Sequence, residues 1–440
     1  MGEVLTVLNR RQPPAPDTAV SATETIYAEY RADRRFLSLV SVGIIALIMA
    51  IAFFIPALVG SQGWWVTRDV WITFNSAEWI RFGGFGSMYS ANLYTSALPG
   101  FPLLLAPVAL IAAHLPLTNG YPFYLPEPTL FYLVGPIYAL ASVTLLFGMD
   151  YLLVVLRVTS KARRWIAVVT GVLVITPTPM IEGHPEDLLA LALVCVSVAM
   201  MIQGRFRNAA ISLTLTILMQ TWAGLLIPIL FVMAPAGRRI VLVIQAAIIP
   251  AVVGIYMLAS DWTHASLQLL KQPMYNTGQH LPWFSIAPRL HFPKSYGLVV
   301  SGSHSRSYAI VLVLAAAFAL WRKRDVGTLL WASGIAMLAR DLFEVTLYPY
   351  YLVPAGMLLL AALWYNNLTK RDRVLGIVAL LLLYGGSSPP YFGVHCNIWV
   401  FTGLMVLDSA LILWLSAPGW LVASHRQEHL DLAVDPAVAS

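Results

Sequence analysis

Charged residues are scarce in this chain. Asp, Glu, Lys and Arg make up 11% of its 440 residues, where a water-soluble domain carries about 25%. A hydrated surface cannot be built from so little charge, which excludes a soluble core and a disordered regulator. Cysteine is scarcer still. Cys195 lies inside an apolar run and Cys396 just past another, with no CxxC pair and no Cys/His cluster, so a disulfide scaffold and a thiolate metal centre are excluded as well. No HExxH spacing occurs. Gly83-Gly-Phe-Gly86 lacks the Lys-Ser/Thr continuation of a phosphate loop, and no catalytic-serine motif is found. What fills the chain is apolar: 59% of residues, with a mean hydropathy of +0.74. This is the composition of an all-α polytopic membrane protein.

The net charge of +6 and isoelectric point near 9.3 do not indicate nucleic acid, because the basic residues sit in short clusters between apolar runs. That is how cytoplasmic loops look under the positive-inside rule. Residues 1–35, rich in Pro, Ala, Thr and Arg, read as a flexible cytoplasmic tail, and 421–440 as another. Between them, 36–420 read as a single transmembrane domain. Phe36 to Gly60 is long enough to cross a ~30 Å hydrocarbon core, and the arginines before it put the N-terminus inside.

Basic clusters at Arg157–Arg164, Arg205–Arg207, Arg238–Arg239, Arg322–Arg324 and Lys370–Arg373 then require hydrophobic hairpins between them. The sequence supplies 166–182 with 185–203, 208–220 with 222–235, 240–259 with 307–321, 326–343 with 349–365, and 374–390 with 398–416. With 36–60 and 128–156 this gives about twelve spans. The run 98–115 is short and broken by Pro99, Pro102 and Pro107. It reads as a re-entrant or interfacial helix within a long first external loop, 61–127. A second external loop covers 260–306. The short pair 208–220 and 222–235 is expected to end inside the bilayer.

Under this topology the polar residues gather on the external side. Asp69, in Gly63-Trp-Trp-Val-Thr-Arg-Asp-Val-Trp71, is an acid close to the bilayer, where desolvation disfavours its charge. It suits either a general base or a partner of Arg68. Glu78 follows nine residues later. Glu182-Gly-His-Pro-Glu-Asp187 is the densest polar cluster. Pro185 opens a helix there, so Glu186 and Asp187 favour its positive end, while His184 suits a phosphate contact or the orientation of a carboxylate. Gln220 and Trp222 mark the next turn. The second external loop brings His280 and Arg289 among aromatic residues that suit sugar rings. Arg340-Asp341 precedes Tyr348-Pro-Tyr-Tyr351, and arginine's planar fork matches a phosphate. Asp150 and Asp408 lie within apolar runs with no role evident from sequence. No metal site and no cofactor are expected.

The pattern resembles the clan C glycosyltransferases, membrane enzymes that use polyprenyl-phosphate sugars. It is most similar to the actinobacterial polyprenol-phosphate-mannose-dependent alpha-mannosyltransferases and their relatives, glycosyltransferase family 87. The likeness rests on Arg68-Asp-Val-Trp71, on Gly86-Ser-Met-Tyr-Ser90 with Leu98-Pro-Gly-Phe-Pro-Leu-Leu-Leu-Ala-Pro107, on Gly183-His-Pro-Glu-Asp-Leu188 with Gln220-Thr-Trp-Ala-Gly-Leu-Leu-Ile-Pro228, and on Arg340-Asp341 with Tyr350-Tyr-Leu-Val-Pro354. Relatives commonly carry Gly-Gln-x-Asn where this chain has Gly183-His-Pro-Glu186, and lysine where it has Gln220. The resemblance implies an inverting transferase of mannose or a similar sugar on the extracytoplasmic face of the cell membrane. Asp69 would be its catalytic base, and His184, Arg289 and Arg340 candidates for the donor phosphate. Glu78, Gln220, Trp222, His280 and Asp341 would contact substrate. Its partners would be a polyprenyl-phosphate sugar, a lipid or glycan acceptor, and membrane lipids, with no nucleic acid. The competing class is a transporter or lipid flippase, which calls for internal repeats and broken helices meeting near the midplane; no convincing repeat links the two halves.

Overall fold

A computed structural model describes residues 16–58, 68–81, 84–91, 98–112, 128–179, 183–270, 305–343, 349–366, 369–391 and 398–421. Among these residues every regular element is a helix and there is no strand. In chain order the main ones are α1 (Pro16–Leu58), α2 (Arg68–Arg81), α3 (Gly100–Ala112), α4 (Pro128–Val155), α5 (Ser160–Thr170), α6 (Pro185–Ile202), α7 (Phe206–Met219), α8 (Leu226–Met233), α9 (Arg239–Ser260), α10 (Trp262–Leu269), α11 (Ser305–Ala319), α12 (Val326–Phe343), α13 (Leu352–Asn366), α14 (Lys370–Tyr391) and α15 (Ile398–Leu415). Five segments are long and apolar enough to cross a membrane: Asp33–Phe54, Leu133–Val155, Pro185–Ile202, Ala236–Ser260 and Val326–Phe343. Shorter apolar helices accompany them. The described residues are thus helical throughout their regular structure, and several of their helices are apolar enough to cross a membrane.

Helix α1 begins at Pro16, well before the apolar run starts at Phe36. Residues 16–35 are rich in Ala, Glu and Arg, which lose little entropy in a helix. Helix propagation from the apolar run therefore extends through a segment without hydrophobic periodicity.

The centre of the molecule is α4 packed on α6, with α1 against α4, α7 against α6 and α9 against α7; α12 packs on α13, with α11 against α12 and α14 against α15. One buried apolar cluster runs through most of these elements. Contact is closest between α4 and α6, where Gly148 faces the Ala192 backbone so tightly that a Cβ would lie 2.5 Å from its carbonyl oxygen. Glycine is required there by the approach of two backbones.

Two ends of α4 define two ends of the molecule. Near one, the Tyr138 hydroxyl donates to the Val70 carbonyl on α2 (3.2 Å). Near the other, the Tyr151 hydroxyl donates to Gln203 Oε1 (2.9 Å) just past α6. The two tyrosines stand about 20 Å apart along the axis. At the Tyr151 end Arg163 is buried between two acids. Its Nε donates to Asp150 Oδ1 (2.9 Å) and its Nη2 to Asp33; Arg164 adds a bond to Asp33 at 2.7 Å. Asp150, unassigned from sequence, is therefore half of a buried ion pair that ties α4 to α5.

Helix α7 is 14 residues long, about 21 Å, and stops at Gln220, whose backbone is extended (φ −143°, ψ 113°). A 3₁₀ turn, Thr221–Leu225, then leads into α8. This pair is shorter than a ~30 Å hydrocarbon core, as expected for 208–220 and 222–235. Helix α3 is also short, 13 residues with Pro107 inside it. It packs on α2, burying Phe101, Leu105 and Ala109 against Val70, Phe74, Ala77 and Tyr138.

Candidate functional site

The residues at the Tyr138 end come from distant parts of the sequence. Asp69 stands in the first turn of α2. Helix α2 is anchored by Val70, Phe74 and Ala77, which share one face at i, i+4, i+7 spacing and are buried against α3 and α4. Asp69 lies beside that face, and its side chain is 45% exposed. It is neither lost in the core nor free in solvent.

His184 approaches it from the start of α6. The turn before α6 places Gly183 at φ 76°, a conformation open to glycine and costly for other residues; its amide donates to the Thr178 carbonyl (2.9 Å). Pro185 then opens the helix. His184 occupies the N-cap position without making a capping bond. Its Nε2 lies 3.3 Å from Asp69 Oδ2 and its Nδ1 2.8 Å from Glu186 Oε1. An imidazole with a carboxylate at each nitrogen is at its best as an imidazolium donating both protons. Burial works against that charge, but the Glu186 carboxylate and the bonds to Asp69 and Glu186 outweigh it, holding His184 well above its ordinary value of 6.5.

Glu186 and Asp187, read from sequence as partners of the helix dipole, do stand in the first turn of α6 and also bond to side chains. Both are buried. Asp187 Oδ1 accepts from Trp222 Nε1 (2.8 Å) in the 3₁₀ turn after α7. The Trp222 ring lies under the Arg340 guanidinium at 5.6 Å, and Arg340 also lies over Tyr351 at 4.4 Å. Tyr350 stacks on His184 with ring centroids 4.3 Å apart and 23° between planes, and packs edge-on to Tyr351 at 4.6 Å.

Asp69, His184, Trp222 and Arg340 therefore meet in one constellation, although 271 residues separate the first from the last. Asp341 follows Arg340 on α12 and is buried. Gln220 forms the break that turns Trp222 into the site. Glu78 lies two and a half turns beyond Asp69 on α2, hence on the opposite side of that helix. His280 and Arg289 lie outside the described residues. Sequence reasoning left out Glu186, Asp187, Tyr350 and Tyr351 as site members. The signal was there in the Gly183–Leu188 and Tyr348–Tyr351 stretches, but only contact shows which side chains an acid in the first turn of a helix meets.

His184, Glu186 and Asp187 present donor atoms within 4.8 Å of one another, close enough to hold a metal ion. No protein-family model matches the chain. A search of curated proteins finds no match either.

Proposed function

We propose that this chain is an integral-membrane, clan C-type glycosyltransferase of about twelve spans that moves mannose or a related sugar from a polyprenyl-phosphate donor to a lipid or glycan acceptor on the extracytoplasmic face. The observation that carries the reading is the 3.3 Å approach of Asp69 to His184. It brings the acid of the first loop and the imidazole of a later hairpin to one wall, with the Arg340 guanidinium beyond the Trp222–Asp187 bond.

The chemistry follows from that separation of charge. Asp69 takes the proton of the acceptor hydroxyl while its oxygen attacks the anomeric carbon. The bond from that carbon to the phosphate oxygen breaks, the electron pair leaves with the phosphate, and configuration inverts. His184, its two nitrogens facing carboxylates, orients Asp69 rather than binding the donor. Arg340 is the cation for the departing phosphate, and Trp222, Tyr350 and Tyr351 offer flat apolar faces for a sugar ring. All of these groups belong to the protein itself, so transfer is expected to survive a chelator.

The test is incubation of purified protein with radiolabelled polyprenyl-phosphate mannose and a crude lipid fraction. Label entering a new glycolipid supports the enzyme. No transfer from any polyprenyl-phosphate sugar to any lipid or glycan acceptor, by protein shown to be folded, would leave the transporter or flippase class as the better account. Strict dependence on an added divalent ion would move the catalytic role to His184, Glu186 and Asp187.

A further inference from the structure

A second polar cluster lies at the other end of the molecule and takes no part in the chemistry above. Helix α8 runs away from the Trp222 turn, and the chain re-enters at Arg239, the first residue of α9. The Arg239 side chain is buried, with 9% of the residue exposed. Its Nε donates to the Ala234 carbonyl (3.0 Å), while its buried Nη2 has no hydrogen-bond partner. The guanidinium lies over the ring of Trp321 at 4.3 Å and near Phe231 at 5.7 Å. Arg324 lies near the same indole at 5.4 Å, with its Nε bonded to the Trp321 carbonyl (3.0 Å).

Two guanidinium groups thus share one tryptophan. Among the described residues neither has a carboxylate partner. The acid beside them is already used: Asp325 Oδ1 accepts from the Thr328 amide (2.9 Å) and Oδ2 from the Thr328 hydroxyl (2.7 Å), capping α12. Cation–π contact offsets part of the cost of burying Arg239, but it supplies no acceptor for the open N–H groups. A buried cation beside a second cation, with an open N–H, is well suited to receive an anion from outside the chain.

We propose that Arg239, Arg324 and Trp321 form a binding site for a phosphate group, presented by an anionic phospholipid headgroup in the leaflet facing this end of the bundle. The guanidinium forks match phosphate oxygens. Trp321, 36% exposed, is an interfacial residue of the kind that sits at headgroup depth. The neighbouring Lys323, whose Nζ lies 4.9 Å over the Trp420 ring, adds to the attraction of a negative surface.

The experiment uses full-length protein in phosphatidylcholine nanodiscs with and without phosphatidylglycerol, counting retained lipid by native mass spectrometry. The wild type should retain phosphatidylglycerol, and loss of one guanidinium in Arg324→Gln should weaken retention about fivefold. Arg239→Gln should do at least as much; if it fails to fold, Arg324→Gln, at a half-exposed position, still carries the test. Arg207→Gln, an exposed basic residue outside the cluster, should leave retention unchanged. Equal loss in Arg207→Gln would reduce the effect to general surface charge and overturn the site. Displacement of the retained lipid by excess inorganic phosphate alone would overturn the lipid source and leave a free-phosphate site. These readouts are independent of sugar transfer, so either proposal can fail alone.

Discussion

At the scale of single residues, the unusual feature is an imidazole held between two carboxylates. Asp69→Asn leaves shape and hydrogen-bonding length almost unchanged but removes the basic oxygen, so transfer of labelled sugar should fall by at least the ~10²-fold typical of a lost general base, with the protein still folded and inserted. Full activity in that variant would remove Asp69 from the mechanism. His184 makes a separate, pH-dependent contribution. Its folded-state pKa is raised above 6.5 by Glu186 and Asp69 against the opposing effect of burial. The folded state therefore holds the proton more tightly than the unfolded chain does. The resulting stability is fully present below the unfolded value and is lost as pH rises through the folded one. Melting temperature in detergent should accordingly decline above about pH 6.5, and His184→Gln should flatten that part of the profile. An unchanged slope in His184→Gln would mean that the imidazole is neutral throughout.

Elements explain why these residues meet. The start of α6, carrying His184, Glu186 and Asp187, is placed by the packing of α6 on α4, and that packing depends on Gly148. A Cβ at 148 would meet the Ala192 oxygen at 2.5 Å, so Gly148→Ala should push the helices apart and destabilise the protein by about 1–3 kcal/mol, read as a lower denaturation midpoint. At the other end, Arg163→Ala would leave Asp150 buried without its cation, while Asp33 keeps Arg164. Breaking a buried pair in this way costs about 3–5 kcal/mol, more than the glycine change, and the same denaturation series should rank the two variants in that order. Helix limits such as 326–343 and 128–155 could be read from sequence because an apolar run bounded by basic or proline residues has few other structures available to it. The partner of Asp150 was not legible. Several arginines lie within reach along the chain, including Arg157, and only the turn before α5, with Arg157 itself at φ 58°, decides that Arg163 is the one that faces inward. The extension of α1 back to Pro16 was also hidden, since propensity without periodicity leaves little trace.

For the whole molecule, loops of alternating charge carry a geometric consequence: groups assigned to one face must lie at one end. Asp69, His184, Trp222 and Arg340 do meet. Among groups assigned to the other face, Arg239 meets Trp321 and Arg324, and Arg163 and Arg164 meet Asp33. Charge can propose such a sorting of loops, because a misplaced basic loop is penalised by the membrane whatever the fold. It could not say which members of a class touch, since Glu78 and Asp69 share a loop yet sit on opposite sides of α2. The orientation itself is open to measurement. In a Cys396→Ser background, where the remaining Cys195 is buried, a cysteine at Thr263 in α10 and one at Arg207 in α7 are both at exposed positions, but the topology puts them on opposite sides of the bilayer. A membrane-impermeant maleimide added to intact cells should label Thr263→Cys and spare Arg207→Cys until the membrane is opened. The reverse pattern would turn the Asp69 site toward the cytoplasm. Labelling of both would mean that an odd number of crossings has been miscounted between them, as when α7 and α8 together supply one crossing in place of two.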